Sequence, residues 1–82
     1  ETSRLNEILQ RAVAAHHMPT VSGKPWKLLY ASQVGAQPPT FMFFANRVLP
    51  QKSTLRRYLE NSLRRELGLP GVPIRLVIRR RK

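Results

Sequence analysis

The sequence predicts an α+β domain with the element order α-β-β-α-β, in which two helices cover one face of a three-stranded sheet. Two segments carry apolar residues at helical spacing, and three carry them at every second position, as strands do. Proline and glycine residues separate these segments. We therefore expect one folded domain over residues 1–82.

The first predicted element is an amphipathic helix over residues 3–16. His16 continues its apolar stripe, so we expect a structural role for this side chain. Because His16 and His17 are adjacent on the predicted helix, their side chains point about 100° apart and cannot chelate one metal ion. Residues 17–25 contain two prolines and one glycine and are predicted to form a loop.

The next two elements are predicted strands. In residues 26–33 the alternation places Trp26, Leu28 and Tyr30 on one face. The second strand covers residues 40–46 and is apolar on both faces, which is typical of a central strand. Its aromatic residues are expected in the core: Phe41, Phe43 and Phe44.

A second helix and a third strand complete the prediction. Ser53 or Thr54 can cap the helix, and Gly68 can end it. A connector over residues 69–73, rich in proline and glycine, leads to a strand that begins at Ile74 and runs into a basic C-terminus.

The chain is strongly basic. Its 15 Lys and Arg residues against four Asp and Glu residues give a formal net charge of +11. Solubility alone is served by mixed signs, whereas a folded cationic domain most often binds a polyanion such as RNA, DNA or an anionic membrane. The candidate contact residues are Arg57, Asn61, Arg64 and Arg65 on the second helix, Lys24 and Lys27 at the first strand, and Arg79, Arg80, Arg81 and Lys82 at the C-terminus.

The surroundings of these charges favour contacts with the nucleic-acid backbone. Aromatic residues do not alternate with the basic ones, so base stacking is predicted to be weak. On the second helix Arg57, Asn61 and Arg64 lie opposite the apolar stripe. Glu60 is expected to pair with Arg56, or with Arg57 or Arg64.

The sequence predicts no catalytic site and no metal site in this chain. Its four carboxylates all lie on the predicted helices, it has no cysteine, and it has no glycine-rich phosphate loop. No apolar run approaches the roughly 18 residues of a membrane span, and no signal peptide is recognisable. We therefore expect a cytoplasmic protein.

The segment Gly68-Leu69-Pro70-Gly71 matches the G-x-x-G loop with which KH domains clamp a nucleic-acid backbone. That loop joins two helices, whereas this segment follows one helix and precedes a strand. Pro70 also removes an amide donor. We therefore interpret Gly68 as a helix end and Gly71 as part of a turn.

Several short motifs occur in one order along the chain: Leu5-Asn6, Lys27, Tyr30, Gln33, Pro38-Pro39-Thr40-Phe41, Phe44, Asn46, Tyr58-Leu59-Glu60-Asn61, Arg64 and Gly71-Val72-Pro73-Ile74-Arg75. Together they closely resemble the C-terminal KH-like domain of the bacterial double-domain GTPase family Der (EngA). The resemblance spans essentially the whole chain. The sequence departs from the family at Leu55, where an aromatic residue is usual, and at Met18-Pro19, where a Pro-Pro pair is usual.

The resemblance implies a KH-like fold without the RNA-clamping loop. It also implies that this chain is a C-terminal fragment preceded by two GTPase domains, which would hold GTP and Mg²⁺, so no cofactor is expected here. The implied function is non-catalytic: the domain would bind rRNA of the large ribosomal subunit, regulate the upstream GTPase domains, and be monomeric as a fragment.

Two other functions stay open at this point. A free-standing small ribosomal or RNA-binding protein would also be small and basic, and a reading frame that starts close to Glu1 would favour it. A membrane-surface domain could use the basic second helix, but the apolar stripe of that helix is expected to face the core.

Overall fold

The two helices and three long strands expected from the sequence are present in a computed structural model, which describes residues 2–21 and 23–81. Both helices pack on one face of the three-stranded sheet, so the predicted α+β architecture is confirmed. The elements are α1 (Thr2–Ala14), β1 (Thr20–Val21), β2 (Lys24–Pro25), β3 (Leu28–Ala36), β4 (Pro39–Ala45), α2 (Thr54–Glu66) and β5 (Arg75–Arg80).

The sheet has the strand order β3-β4-β5, which confirms the prediction that β4 is central. Strand β4 runs antiparallel to β3 and parallel to β5. Helix α2 lies between β4 and β5 in the chain and provides the crossover that a parallel pair requires.

The core lies between this sheet and the two helices. Helix α1 contributes a stripe of leucine, isoleucine and alanine, and α2 contributes a stripe of leucine, as the helical periodicity predicts. The sheet contributes aromatic and aliphatic residues from all three strands. The most deeply buried large side chains are Leu9, Trp26, Phe41, Phe43, Leu59 and Leu63.

Polar contacts fix α1 against its neighbours. The side-chain amide of Asn6 donates to the carbonyl of Ala31 at 2.9 Å, and the amide of Ala31 donates to Asn6 Oδ1 at 2.8 Å. The Tyr58 hydroxyl donates to the carbonyl of Ala12 at 2.9 Å. Asn6 therefore holds α1 on β3, while Tyr58 joins the two helices.

Helix α1 ends at Ala14, two residues earlier than predicted, so His16 and His17 follow the helix rather than lying on it. The predicted structural role of His16 is supported, because its ring packs on Tyr58 with 4.5 Å between the ring centroids.

The first long strand lies further along the chain than predicted, and one of its side chains was assigned to the wrong face. Strand β3 begins at Leu28 and has a register shift between Leu28 and Tyr30. This bulge adds one residue, so Leu28 and Ala31 are both buried whereas Tyr30 points away from the helices. Tyr30 therefore does not share a face with Leu28.

Two short strands lie within the segment predicted to be only a loop. Strands β1 and β2 pair antiparallel, with Thr20 opposite Pro25 and Val21 opposite Lys24. The backbone amide of Trp26 then donates to the carbonyl of Pro19 at 2.9 Å, which closes this segment before β3.

Local signals set both ends of α2. Ser53 is the N-cap, and its side chain accepts a hydrogen bond from the amide of Arg56. Gly68 has a φ of +67°, and the amide of Leu69 donates to the carbonyl of Arg64 at 2.8 Å, as in a Schellman motif. Strand β5 begins at Arg75, one residue later than predicted.

Candidate nucleic-acid interface

The structure places the candidate residues in two groups. The first, here called the helix cluster, lies on α2 and consists of Arg57, Asn61, Arg64 and Arg65. The second, the sheet-end cluster, consists of Lys27, Arg79, Arg80 and Arg81 at one end of the three-stranded sheet, together with Lys24 in the short strand β2 that precedes Lys27 in the chain. The remaining candidate, Lys82, lies outside the described residues.

The members of the helix cluster differ in exposure and in the hydrogen bonds of their side chains. Arg57 and Asn61 are exposed, as predicted. Arg64 was expected to face outward but is half-buried, because its Nε donates to the carbonyl of Val72 at 2.9 Å and its Nη1 to Asn61 Oδ1 at 3.1 Å. Arg64 thus holds the connector that leads to β5. Arg65 is exposed and lies 3.7 Å from the carboxylate of its neighbour Glu66.

A further arginine of α2 belongs to the core. Arg56 is only 7% exposed, and its guanidinium donates to the carbonyl of Leu76 in β5. Its Nε lies 3.9 Å from Glu60, which identifies the ion-pair partner that the sequence left open among three arginines. Arg56 therefore fixes α2 on the sheet and is not available to a ligand.

The sheet-end cluster forms because of the strand directions. The start of β3 and the ends of β4 and β5 meet at one end of the sheet, since β4 is antiparallel to β3 and parallel to β5. The amide of Asn46 donates to the carbonyl of Lys27 at 3.1 Å, and the amide of Arg81 donates to the carbonyl of Ala45 at 2.8 Å. The first of these bonds joins backbone segments 19 residues apart in sequence, and the second joins segments 36 residues apart.

The sheet face that the helices leave uncovered carries aromatic residues, which the sequence analysis missed. Tyr30 and Phe44 stack on adjacent strands with 4.6 Å between their ring centroids. The guanidinium of Arg81 lies 5.5 Å from the Tyr30 ring and 5.7 Å from the Phe44 ring. The prediction that aromatic residues do not alternate with the basic ones is therefore wrong at Arg81.

The physical reason is the way each strand faces. The bulge in β3 turns Tyr30 away from the helices. Alternation along β4 places Phe44 on the other face of the sheet from the buried Phe43. Phe44 is half-buried and does not belong to the helix-covered core. A run of three phenylalanines in four residues gives no signal in sequence that distinguishes the two faces.

Within residues 2–21 and 23–81, the acidic residues all lie on the helices. The sequence has no Asp or Glu between residues 8 and 59, and none after residue 66. Glu60 lies beside Arg56, and Glu66 lies beside Arg65. The charged side chains of the sheet and its loops are consequently all basic.

The Gly68–Gly71 segment forms the helix end and turn that the sequence predicts. The amide of Leu69 closes the helix end, and the amide of Val72 donates to the carbonyl of Leu69 at 3.1 Å. Pro70 has no amide hydrogen. Two of the amides that could face a phosphate are thus occupied by backbone carbonyls.

Residues 2–21 and 23–81 contain neither a membrane-spanning helix nor a group of metal-binding side chains. None of the helices in these two ranges has the length and apolar character needed to cross a bilayer. His, Asp and Glu side chains in the same ranges form no group of three that could hold a metal ion.

Comparison with known proteins identifies the family. Residues 1–79 match the family described as the KH-domain-like, C-terminal part of EngA bacterial GTPase enzymes. The chain is 48% identical over 79 residues to GTPase Der of Parvibaculum lavamentivorans, covering 96% of this chain and 17% of that protein. It is 46% identical over 79 residues to GTPase Der of Moorella thermoacetica, covering 96% of this chain and 18% of that protein.

A third relative matches slightly more of this chain but is covered to an equally small extent itself. The chain is 45% identical over 82 residues to GTPase Der of Rippkaea orientalis, covering 99% of this chain and 18% of that protein. The chain thus spans less than one fifth of the length of these relatives. With the α+β fold described above, these matches show that the chain belongs to the family of KH-like C-terminal domains of the EngA bacterial GTPases.

Proposed function

We propose that this chain is the part of a bacterial GTPase that binds rRNA during assembly of the large ribosomal subunit. Two GTPase domains would precede it and would hold GTP and Mg²⁺, while this domain binds RNA, regulates them and carries out no chemistry itself. The protein would act in the cytoplasm, and the isolated domain would be a monomer. The family membership supports the link to a GTPase.

The observation that carries the RNA-binding proposal is the distribution of charge. The net charge is +11, and basic side chains lie both on α2 and at one end of the sheet. The carboxylates Glu60 and Glu66 are already close to arginines of α2. A surface of one sign attracts a polyanion and releases its counterions on binding.

Burial and hydrogen bonding support assigning phosphate contacts to some of the basic residues and a structural role to others. Arg56 is buried and Arg64 is bonded to the connector, so neither is expected to contribute freely to binding. Arg57 and Arg80 are exposed and represent the two clusters. We expect their guanidinium groups to contact phosphates with little preference for sequence.

The test is the salt dependence of rRNA binding by the 82-residue chain, measured by filter binding. Affinity should fall with a log–log slope of about −0.7 to −0.9 per phosphate contacted. Replacement of Arg57 and Arg80 together by Gln should flatten that slope by about one to two units. The matched control replaces Arg4 and Arg11, exposed on α1, by Gln, which removes the same charge from another surface.

Two results would contradict the proposal. The first is an affinity that does not depend on salt. The second is an equal loss of binding in the Arg57/Arg80 pair and in the Arg4/Arg11 pair, because net charge alone would then explain the binding.

The regulatory part of the proposal requires a full-length GTPase Der. Deletion of the KH-like domain should change the rate of GTP hydrolysis, or the response of that rate to large ribosomal subunits. An unchanged rate and an unchanged response would show that the domain does not regulate the GTPase domains.

A further inference from the structure

We propose that the sheet face opposite the helices, centred on Tyr30, Phe44 and Arg81, is a stacking surface for the bases of single-stranded RNA. This inference rests on the proposed function, because it takes RNA as the partner. It adds a second surface with different chemistry, since the proposed phosphate contacts of Arg57 and Arg80 do not involve aromatic rings.

The first support is the exposure of an aromatic pair. Tyr30 is 40% exposed although it is an aromatic residue within a strand. Its ring is stacked on Phe44, with 25° between the ring planes, so the pair forms one rigid apolar platform. Stacking of a nucleobase on an aromatic ring tolerates any base, because every base has a π-face.

The second support is the guanidinium above the rings. Arg81 lies beyond the end of β5, donates a hydrogen bond to the Tyr30 hydroxyl and sits over both rings. Bases stack on guanidinium planes as well as on aromatic rings. Tyr30 and Arg81 can therefore offer two neighbouring stacking surfaces to a single strand.

The third support is charge complementarity along β5. The parallel register places Arg75 beside Thr40 and Arg79 beside Phe44, on the face that alternation directs away from the helices. Val77 lies between these two arginines and is 37% exposed. The alternation of basic and apolar positions provides phosphate contacts next to the stacking platform, which is the combination found in single-strand binding surfaces.

The charge of this face favours a polyanion as its partner. Aromatic residues and arginine are also common at protein–protein interfaces, so the single sign of the charge makes the distinction, not the residue types. Here a guanidinium lies directly over the aromatic pair, and Arg79 stands beside Phe44. Since no Asp or Glu follows residue 66, β5 contributes only positive charge to this face.

The experiment compares a fluorescently labelled oligo(A) single strand with an rRNA duplex of equal length, using anisotropy titrations of the 82-residue chain. Tyr30→Ala should weaken binding of the single strand by about tenfold, the loss expected for one stacked base. Binding of the duplex and the salt slope should stay unchanged, because no phosphate contact is removed.

Two control variants separate stacking from other effects. Leu29→Ala removes a neighbouring side chain that is 39% exposed and should leave both affinities unchanged. Tyr30→Phe retains the ring without the hydroxyl and should retain the affinity for the single strand. Circular dichroism melts of all three variants would show whether each is folded at the assay temperature.

Several results would overturn the proposal. One is an unchanged affinity of the folded Tyr30→Ala variant for oligo(A), or an equal loss of its affinity for the single strand and for the duplex. Another concerns the GTPase domains of a GTPase Der, added as a separate protein. If the Tyr30→Ala variant no longer binds these domains but still binds RNA, this face is a protein contact. If the unaltered chain binds duplex but not oligo(A), only this inference fails; if it binds neither, the proposed function fails as well.

Discussion

The two faces of the three-stranded sheet are built from alternate residues of the same strands, yet they differ in almost every physical property. On the helix-covered face Phe41 and Phe43 are at most 1% exposed. On the open face Tyr30 and Val77 keep 40% and 37% of their surface exposed. In β4 both faces are apolar in sequence, so the hydrophobicity of that strand alone does not indicate which face lies in the core.

The difference shows how one sheet can serve stability and recognition separately. Full burial of a large apolar side chain stabilises a fold by about 1.5–3 kcal/mol, and the helices provide this burial on one side only. Half-exposed residues such as Phe44 contribute less to folding. Their rings remain accessible for contacts outside the domain.

The most direct way to break this comparison is to truncate adjacent phenylalanines of β4. Phe43→Ala should lower the free energy of unfolding by about 3–5 kcal/mol, because the side chain is fully buried between sheet and helices. Phe44→Ala should cost less than half as much, since its side chain is only half-buried. Urea denaturation of both variants measures the two values, and equal losses would show that the open face is covered in solution.

The same comparison can be sharpened on α2 with neighbouring arginines. Arg56→Ala should destabilise the domain by about 1–3 kcal/mol, because the buried carbonyl of Leu76 loses its donor. Arg57→Ala should change stability by less than about 0.5 kcal/mol, since its side chain is exposed. Urea denaturation tests the pair, and the reverse ranking would mean that α2 is rotated relative to the sheet.

A smaller effect is expected in the connector that brings β5 into the sheet. Gly71 has a φ of +72°, and a Cβ added there meets no atom within 4 Å. Gly71→Ala should therefore cost about 1–2 kcal/mol through backbone strain alone. RNA affinity of the folded variant should not change, and a selective loss of affinity would restore the clamp interpretation of the Gly68–Gly71 segment.

The smallest expected effect has the opposite sign and concerns a polar group on the covered side. Ser62 is 1% exposed, and among the described residues no hydrogen-bond partner lies near its hydroxyl. Ser62→Ala removes this buried hydroxyl and improves helix propensity, so stability should rise by about 0.5–1 kcal/mol. A thermal melt at a lower midpoint than the unaltered chain would show that the hydroxyl is bonded in solution.

Elements with local signals were predicted well. Ser53 and Gly68 mark the two ends of α2 to within two residues. A capping hydroxyl and a glycine with positive φ determine the conformation of the adjacent backbone, so these ends can be predicted from the sequence. The order of elements and the central place of β4 also followed from periodicity. The candidate basic residues were found by composition, although Arg64 has a structural contact that composition cannot show.

The facing of individual side chains was predicted less well. The bulge after Leu28 is invisible in a run of apolar residues, so Tyr30 was placed on the wrong face. The short β1–β2 pair was missed because strands of two residues have no periodicity. The burial of Arg56 was missed because a charged residue on a helix is ordinarily exposed.

The sequence by itself determined the class of fold, the positive charge and the family, because helical and strand periods, a charge total and an ordered series of motifs are all properties of the chain as written. The tertiary structure decided which apolar face is covered, which arginines are available to a ligand, and that Tyr30, Phe44 and Arg81 meet. These outcomes depend on strand register and on packing between residues distant in the chain. The one-residue bulge in β3, for example, turns Tyr30 to the open face without any change in composition.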